Sequence, residues 1–246
     1  MNLNHVGAVA HRIVRQMLRD RRTLVFIVAV PMVVMELVGL AFPGDSRILD
    51  RMAPALMATF ALFFVFLLTG ISFLRERSQG TLERVMASPV SRLDLVVGYL
   101  GGFILFAAVQ SLIILLFTVF VLGIRYQGAL WQIFVFQLVV TVVALNLGLF
   151  VSAFARNEFQ VVQFIPLVLV PQVLLSGVLL PTDQMPAYLK ALSKVLPLTF
   201  AVDGLNGIML QGKTLVDVGW DLLILAGFAC VTIVLGAISI RRSAAT

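Results

Sequence analysis

Residues 74–92 read LRERSQGTLERVMASPVSR, a charged stretch between two long apolar runs. Thr81 can serve as the N-cap of a new helix, and Pro89 cannot continue one. A helix over 81–87 would place Leu82 and its apolar neighbours on one side and charged residues on the other. A solvated loop is the alternative, but it does not account for a Gly, an N-cap residue and a Pro in this order. The sequence therefore predicts a short amphipathic helix between two apolar segments.

Most of the remaining chain is apolar. Of the 246 residues, 61% are hydrophobic and 12% are charged, and the mean hydropathy is +1.06. A helix needs roughly 20 apolar residues to cross a bilayer. The fold class predicted is an all-α membrane protein, with one transmembrane domain over residues 1–246. Its six predicted spans are 23–42, 54–74, 96–122, 130–154, 160–180 and 219–240.

The net charge of +6 does not indicate a nucleic-acid partner, because the basic residues lie between the apolar runs and not on one face. Twelve of the 18 Lys and Arg residues fall on the side of the two termini and of the 74–92 stretch. Basic residues concentrate in cytoplasmic loops. We therefore expect a multi-pass protein of the cell membrane with both termini in the cytoplasm.

Residues 3–20 predict an amphipathic helix before the first span. Val6, Val9, Ile13 and Met17 recur at helical spacing, while the other face is rich in arginine. Such a helix can lie in the membrane interface with its arginines near lipid phosphates. A soluble helix packed on a partner is the alternative.

Residues 181–218 are too polar to span and are predicted to form an outer-face segment with two short helices. Pro186 and Pro197 mark their boundaries. The preceding span contains Pro166 and Pro171, so kinks are expected there.

The order Arg-Glu-Arg-x-x-Gly-Thr-Leu-Glu-Arg-x-x-x-x-Pro-x-Ser-Arg over residues 75–92 resembles the cytoplasmic loop of ABC-2 type (type V exporter) permeases. The N-terminal helix resembles the elbow helix of that family, and residues 176–203 resemble its outer-face segment. One departure is Tyr99, which follows Gly98 where the family often has a lysine. That change is expected to weaken a basic anchor at the membrane surface.

The resemblance implies that residues 75–92 form a coupling-helix loop that docks into a separate cytoplasmic ATPase. It also implies two ATPase copies, a permease dimer of identical chains or of two related ones, and contact with membrane lipid. ATP and magnesium would bind to the ATPase, so this chain would carry no cofactor and would not itself be an enzyme. The expected cargo is a small hydrophobic or amphipathic compound, such as a drug, an antibiotic or a lipid-like molecule, moved outward. The predicted coupling residues are Glu76, Gly80, Thr81, Leu82, Glu83, Arg84, Val85, Met86 and Pro89.

Spans two and five flank the central path in the family that the chain resembles. On that basis Phe63, Phe66 and Gln172 are candidate residues of the substrate path. Glu36 is a candidate functional acid because a carboxylate in a span is costly. Its alternative is a structural role, in which it reaches the interface or pairs with Arg47 or Arg51.

Residues 207–214 match the phosphate-binding pattern G-x-x-x-x-G-K-[ST]. Such a site needs a preceding strand and a following helix that faces phosphate, so we interpret the match as chance. No metal or catalytic pattern is evident in the sequence. Three other functions remain as alternatives: a polysaccharide or glycolipid exporter of the same family, an ATP-independent transporter, and an intramembrane enzyme, for which the spans lack clustered His, Asp or Ser.

Overall fold

The computed structural model describes residues 3–41, 46–78, 92–155, 157–179 and 182–243. These residues form nine α-helices and no strand. A π-helical turn at Phe117–Val121 follows α4, and a 3-10 turn at Thr182–Gln184 precedes α7. The helices are α1 Leu3–Arg19, α2 Arg21–Ala41, α3 Ser46–Ser78, α4 Arg92–Leu116, α5 Leu130–Ser152, α6 Glu158–Leu175, α7 Ala187–Ser193, α8 Pro197–Gln211 and α9 Gly219–Ser243.

The predicted all-α membrane fold is confirmed. Within the described residues, five helical segments are long and apolar enough to span a membrane, and α9 contains a shorter apolar helix over Gly219–Leu235. The boundaries differ most from prediction at α3 and α6. α3 begins at Ser46, eight residues before the predicted span. α3 continues to Ser78, four residues beyond the predicted span, and α6 ends at Leu175. The five segments are Thr23–Ala41, Ile48–Glu76, Val97–Val121, Leu130–Ser152 and Glu158–Leu175.

The centre of the bundle is the packing of α3 on α5. The two backbones approach closely at Gly70 and Gly148, where a Cβ on Gly148 would lie 2.6 Å from the carbonyl oxygen of Phe66. Only a glycine permits such an approach, which is a common way for membrane helices to pack. The buried apolar core extends from this crossing to α4, α8 and α9.

Helix α8 packs into this core, although the sequence predicted only a weakly helical outer-face piece. Leu198, Leu205 and Ile208 are fully buried, and Gly204 lies directly against the ring of Phe136. Gly212, with a φ of +66°, ends the helix in a left-handed conformation.

One end of the bundle carries α1, the end of α3, and the starts of α4 and α6; we call it the elbow end. Asp20 separates α1 from α2 there and caps α2, because its carboxylate accepts hydrogen bonds from the backbone N–H and the hydroxyl of Thr23. The opposite end carries α7 and α8, and we call it the α7–α8 end.

Candidate coupling frame and cargo groove

Glu76 lies at the centre of a polar cluster at the elbow end. Its carboxylate accepts hydrogen bonds from Arg12 Nη2 at 2.7 Å and 2.6 Å, and from the Tyr99 hydroxyl at 2.7 Å. The residue is only 3% exposed, so the carboxylate is satisfied inside the protein and not by water. We call this cluster of Arg12, Glu76 and Tyr99 the clasp. It joins α1, α3 and α4.

Two glycines allow α1 to lie close enough for the clasp to form. A Cβ on Gly98 would lie 2.6 Å from Val9 Cβ, and a Cβ on Gly102 would lie 2.9 Å from Ile13 Cβ. The spacing Gly-x-x-x-Gly puts both glycines on one side of α4. The buried side of α1 therefore packs directly on the α4 backbone.

A second contact joins α1 to the start of α4. His5 Nδ1 lies 3.7 Å from the Asp94 carboxylate, which is buried. Segment 79–91 leaves α3 just after Glu76 and re-enters α4 just before Asp94. Glu76 and Asp94, which flank this segment, thus both lie against the same helix, α1.

Arg75, the neighbour of Glu76, faces another direction. Its guanidinium donates to both carboxylate oxygens of Glu158, from Nε at 2.7 Å and from Nη2 at 2.9 Å. Its Nη1 also lies 3.6 Å from Asp20. Asn157 caps α6 directly before Glu158, which fixes the position of that carboxylate. We call this exposed pair of Arg75 and Glu158 the latch. It joins α3 to α6.

In the clasp, Glu76 and Arg12 have partners other than the predicted ones. Glu76 was expected to contact an ATPase, but its carboxylate faces Arg12 and Tyr99 inside the chain. Arg12 was expected to reach lipid phosphates, but it turns inward to Glu76. Tyr99 stands where the family often has a lysine. Its hydroxyl donates to Glu76 and is the third member of the clasp.

The structure describes only part of the predicted coupling-helix loop. Its first residues, Arg75–Ser78, continue α3 and are not part of a loop. The other predicted coupling residues lie outside the described residues: Gly80, Thr81, Leu82, Glu83, Arg84, Val85, Met86 and Pro89.

An apolar groove of about 350 Å³ lies between α3 and α6. Phe63 forms one wall, and Pro166, Leu169 and Val173 form the other. A second cavity, under Arg75 and Glu76, has both polar and apolar lining; it measures only about 70 Å³ and can hold little more than water. The groove is therefore the better candidate for an apolar ligand.

The three predicted path residues occupy different environments. Phe63 lines the groove, whereas Phe66 is fully buried beside the crossing at Gly148. Gln172 is also buried: its amide donates to the Val168 carbonyl, and its oxygen accepts from the Leu198 N–H. Phe66 and Gln172 thus support α3 and α8 and do not face the groove.

Glu36 is exposed on α2, and no ion pair joins it to any residue that the structure describes. The phosphate-loop match at 207–214 begins in the last turn of α8, so a helix precedes it where a nucleotide site needs a strand.

Comparison with known proteins gives the family. The family described as ABC-2 type transporter matches residues 4–210. The chain belongs to the ABC-2 type transporter family. The match includes the clasp, the latch and the groove.

Three relatives illustrate the similarity of this ABC-2 family member to other proteins. It is 28% identical over 177 residues to the probable multidrug ABC transporter permease YbhS of Escherichia coli K12, covering 72% of this chain and 47% of that one. It is 28% identical over 187 residues to the linearmycin resistance permease protein LnrN of Bacillus subtilis, covering 75% and 48%. It is 27% identical over 168 residues to ABC transporter G family member 20 of Dictyostelium discoideum, covering 68% and 23%. The matched part is thus about half of each bacterial relative and about a quarter of the Dictyostelium protein.

Proposed function

We propose that this chain is the transmembrane permease subunit of an ABC exporter, driven by a separate cytoplasmic ATPase that binds ATP and magnesium. The cargo would be a hydrophobic or amphipathic compound, taken from the cytoplasm or the inner leaflet. The names of the two bacterial relatives, a probable multidrug permease and a linearmycin resistance permease, support this class of cargo.

The observation that carries the proposal is the frame around segment 79–91. Glu76 and Asp94, at the two ends of the segment, both contact α1. A force applied to the segment would therefore reach α1, α3 and α4 together. Such an attachment suits a segment on which another protein acts.

The latch and the clasp differ in how easily they open. The latch is exposed, and an exposed ion pair contributes only about 0–1 kcal/mol. The clasp is buried, and opening it would leave an unpaired charge inside the protein. Movement of segment 79–91 would thus separate α3 from α6 before it separated α3 from α1.

That separation would change the cargo groove, since α3 and α6 are its two walls. The groove is lined by apolar side chains such as Phe63 and Leu169, which fit the apolar part of an amphipathic molecule. In this proposal ATP binding moves the segment, and the segment alters access to the groove.

The orientation and the assembly belong to the same proposal. The excess of Lys and Arg on the elbow end and at the termini supports a cytoplasmic position for that end. The groove of one chain is open on one side, so we propose a permease dimer that encloses the path, with two ATPase subunits that supply the energy.

The test uses the chain purified with its ABC ATPase, identified by co-purification from membranes. Leu82→Asp and Glu83→Ala in segment 79–91 should reduce ATPase binding and should abolish the stimulation of ATP hydrolysis by cargo. The matched control is Val216→Asp, which places the same charge at a highly exposed position of the α7–α8 end. If all three variants retain coupled hydrolysis, segment 79–91 is not the coupling element.

A further inference from the structure

The apolar groove stops short of the elbow end. Its lining on α6 runs from Ile165 to Leu174, so residues 158–164 lie outside it. These residues pack on α3 instead, where Val161 is fully buried in a small apolar cluster with Leu74 and Ala155. The cluster is separate from the main core of the bundle, and we call it the plug. Along α6 the plug lies between the latch and the groove.

Helix α6 is held by few contacts within the chain. Only three of its residues are buried, namely Val161, Leu169 and Gln172, whereas α5 has twelve buried residues. Among the residues that the structure describes, the plug and the latch join the elbow end of α6 to α3. An exposed ion pair adds little stability, so apolar contact at the plug supplies most of this attachment.

The other end of α6 is anchored in the core. The Gln172 side chain is buried, and its oxygen accepts a hydrogen bond of 3.3 Å from the Leu198 N–H. Its nitrogen donates to the Val168 carbonyl at 3.2 Å, which fixes the orientation of the amide. Because Leu198 begins the buried side of α8, Gln172 ties this end of α6 to the main core.

Two prolines lie between the weakly held end of α6 and the anchored one. Pro166 and Pro171 have no N–H, so the carbonyls of Val162 and Leu167 lack their usual helical donors. Sharp bends in helices occur at such positions. Glu158 lies about 12 Å from Pro166 by the rise of a helix, so a combined bend of about 30° would move it by about 6 Å. That displacement would break the latch.

We propose that residues 158–164 form a gate that opens the groove toward the elbow end. The gate bends at Pro166 and Pro171 while Gln172 holds the other end of α6. In this structure it is closed, because the plug and the latch hold it on α3. Opening releases the latch and then separates Val161 from Leu74. The proposal rests on the proposed function, in which movement of segment 79–91 supplies the force.

A disulfide can lock the gate without disturbing the helix crossing. A Cβ on Gly70 would lie 3.0 Å from Val161 Cγ1, and its next neighbour, the Gly148 carbonyl oxygen, is at an ordinary contact distance of 3.5 Å. The pair Gly70→Cys/Val161→Cys is therefore close enough to form a disulfide. The background is Cys230→Ala, which removes the only cysteine of the chain.

The chain offers a matched control lock at the α7–α8 end. A Cβ on Gly207 would lie 3.1 Å from Val218 Cγ1, which is nearly the same geometry. The pair Gly207→Cys/Val218→Cys joins α8 to the residue before α9 and does not involve α6. Both locks are formed by oxidation and checked by mass spectrometry.

The measurement is the access of a charged reagent to the groove. Leu169→Cys places a thiol in the groove wall, and the reagent is MTSET, a trimethylammonium methanethiosulfonate that does not enter lipid. The chain is placed in lipid nanodiscs with its ABC ATPase. Because a minor open state is populated at roughly 10% or less, ATP hydrolysis should speed labelling about tenfold or more. The Gly70–Val161 lock should abolish this acceleration, and the Gly207–Val218 lock should leave it intact.

Three results would overturn the gate. In the first, ATP hydrolysis does not speed labelling of the unlocked protein. In the second, the acceleration survives the Gly70–Val161 lock. In the third, both locks abolish it equally, so that the effect is not specific to α6. The Leu82→Asp variant tests the proposed function separately, so a wrong gate leaves that function standing.

Three single variants provide a second measurement that needs no disulfide. Glu158→Ala removes the latch and should speed labelling without ATP about two- to fivefold, the size expected for an exposed ion pair. Asp183→Ala breaks an exposed pair at the other end of the bundle and should leave labelling unchanged. Pro171→Ala restores a donor for the Leu167 carbonyl and should slow ATP-driven labelling severalfold. Unchanged labelling in both Glu158→Ala and Pro171→Ala would overturn the gate.

Discussion

The two ends of the bundle are stabilised in different ways. At the elbow end, ion pairs join residues that are 64 and 83 positions apart in the sequence, in the clasp and in the latch. At the α7–α8 end, the side-chain pairs are local: Lys190 pairs with Asp183, and the Thr214 N–H and hydroxyl donate to Asp217. The long-range polar contacts there are donated by backbone N–H groups, from Arg125 to the Asp50 carboxylate and from Gln127 to the Met209 carbonyl. Long-range stability at that end comes from the buried apolar side of α8.

From this difference we expect the exposed latch to open more easily than the apolar packing of either end, which at the elbow end includes α1 on the α4 backbone at Gly98 and Gly102. Ion pairs can exchange partners or open as groups move, whereas a close-packed apolar contact resists displacement. At the elbow end, adjacent residues of α3 carry one buried and one exposed pair, so we expect α3 to stay joined to α1 when it separates from α6. The α7–α8 end is built to keep α3, α5 and α8 in place.

The largest expected effect tests whether the clasp is the rigid part of the elbow end. Glu76→Ala leaves Arg12 and the Tyr99 hydroxyl without their shared acceptor. Removing one member of a buried pair typically costs 3–5 kcal/mol, and we expect about 3 kcal/mol because Arg12 is partly exposed. The detergent-solubilised protein should unfold at a Tm roughly 6–12 °C lower.

Glu158→Ala in the latch is the matched comparison. It removes a carboxylate with equally good geometry from an exposed pair, so the expected loss is below about 1 kcal/mol. Equal Tm decreases in the two variants would remove the distinction between clasp and latch. Glu76→Gln should lie between them, since it keeps a hydrogen-bond acceptor but loses the charge.

The second prediction tests whether apolar packing holds the α7–α8 end. A Cβ at Gly204 would overlap the ring of Phe136, which is fully buried and cannot move away freely. Gly204→Ala should therefore destabilise the protein by about 1–3 kcal/mol, although alanine favours a helix more than glycine does. The measurement is again the Tm in detergent.

A control and a rescue make this result specific. Gly227→Ala on α9 adds the same methyl group where nothing lies within 4 Å, so it should not lower the Tm. Adding Phe136→Leu to Gly204→Ala should recover part of the loss. If Gly204→Ala is neutral, the α7–α8 end is more loosely packed than its glycine contact indicates.

The same comparison explains what the sequence could predict. Apolar runs, Pro boundaries and helical periodicity act over a few residues, so the spans and α1 were predicted close to their observed positions. The burial of α8 was missed because its Leu and Ile residues are equally compatible with a surface helix. Arg12, Tyr99 and Glu158 were not recognised as partners of Arg75 and Glu76, because nothing local in the sequence relates residues 23, 64 and 83 positions apart.

The smallest expected effect concerns charge at the α7–α8 end. Asp203 lies on α8, and its carboxyl group is partly buried. This burial and, to a smaller extent, the negative charges of Asp221 and Asp183 raise the pKa of Asp203 to about 6. Since an unfolded aspartate ionises near 4, the folded protein holds this proton more tightly. Stability should therefore fall as the pH rises from about 4 to about 6 and should stay at the lower level above that.

Asp203→Asn should flatten this pH dependence, measured as the Tm between pH 4 and pH 8. Asp217 gives a control of opposite sign, because the Thr214 backbone N–H and hydroxyl lower its pKa. Its contribution is present at neutral pH and is lost as the pH falls below about 4, so Asp217→Asn should change only the acidic side of the profile. If Asp203→Asn and the unmodified chain share one profile between pH 4 and pH 6, neither burial nor the neighbouring negative charges disfavour the ionised Asp203 carboxylate, and the contrast with the paired charges of the elbow end is smaller than the geometry indicates.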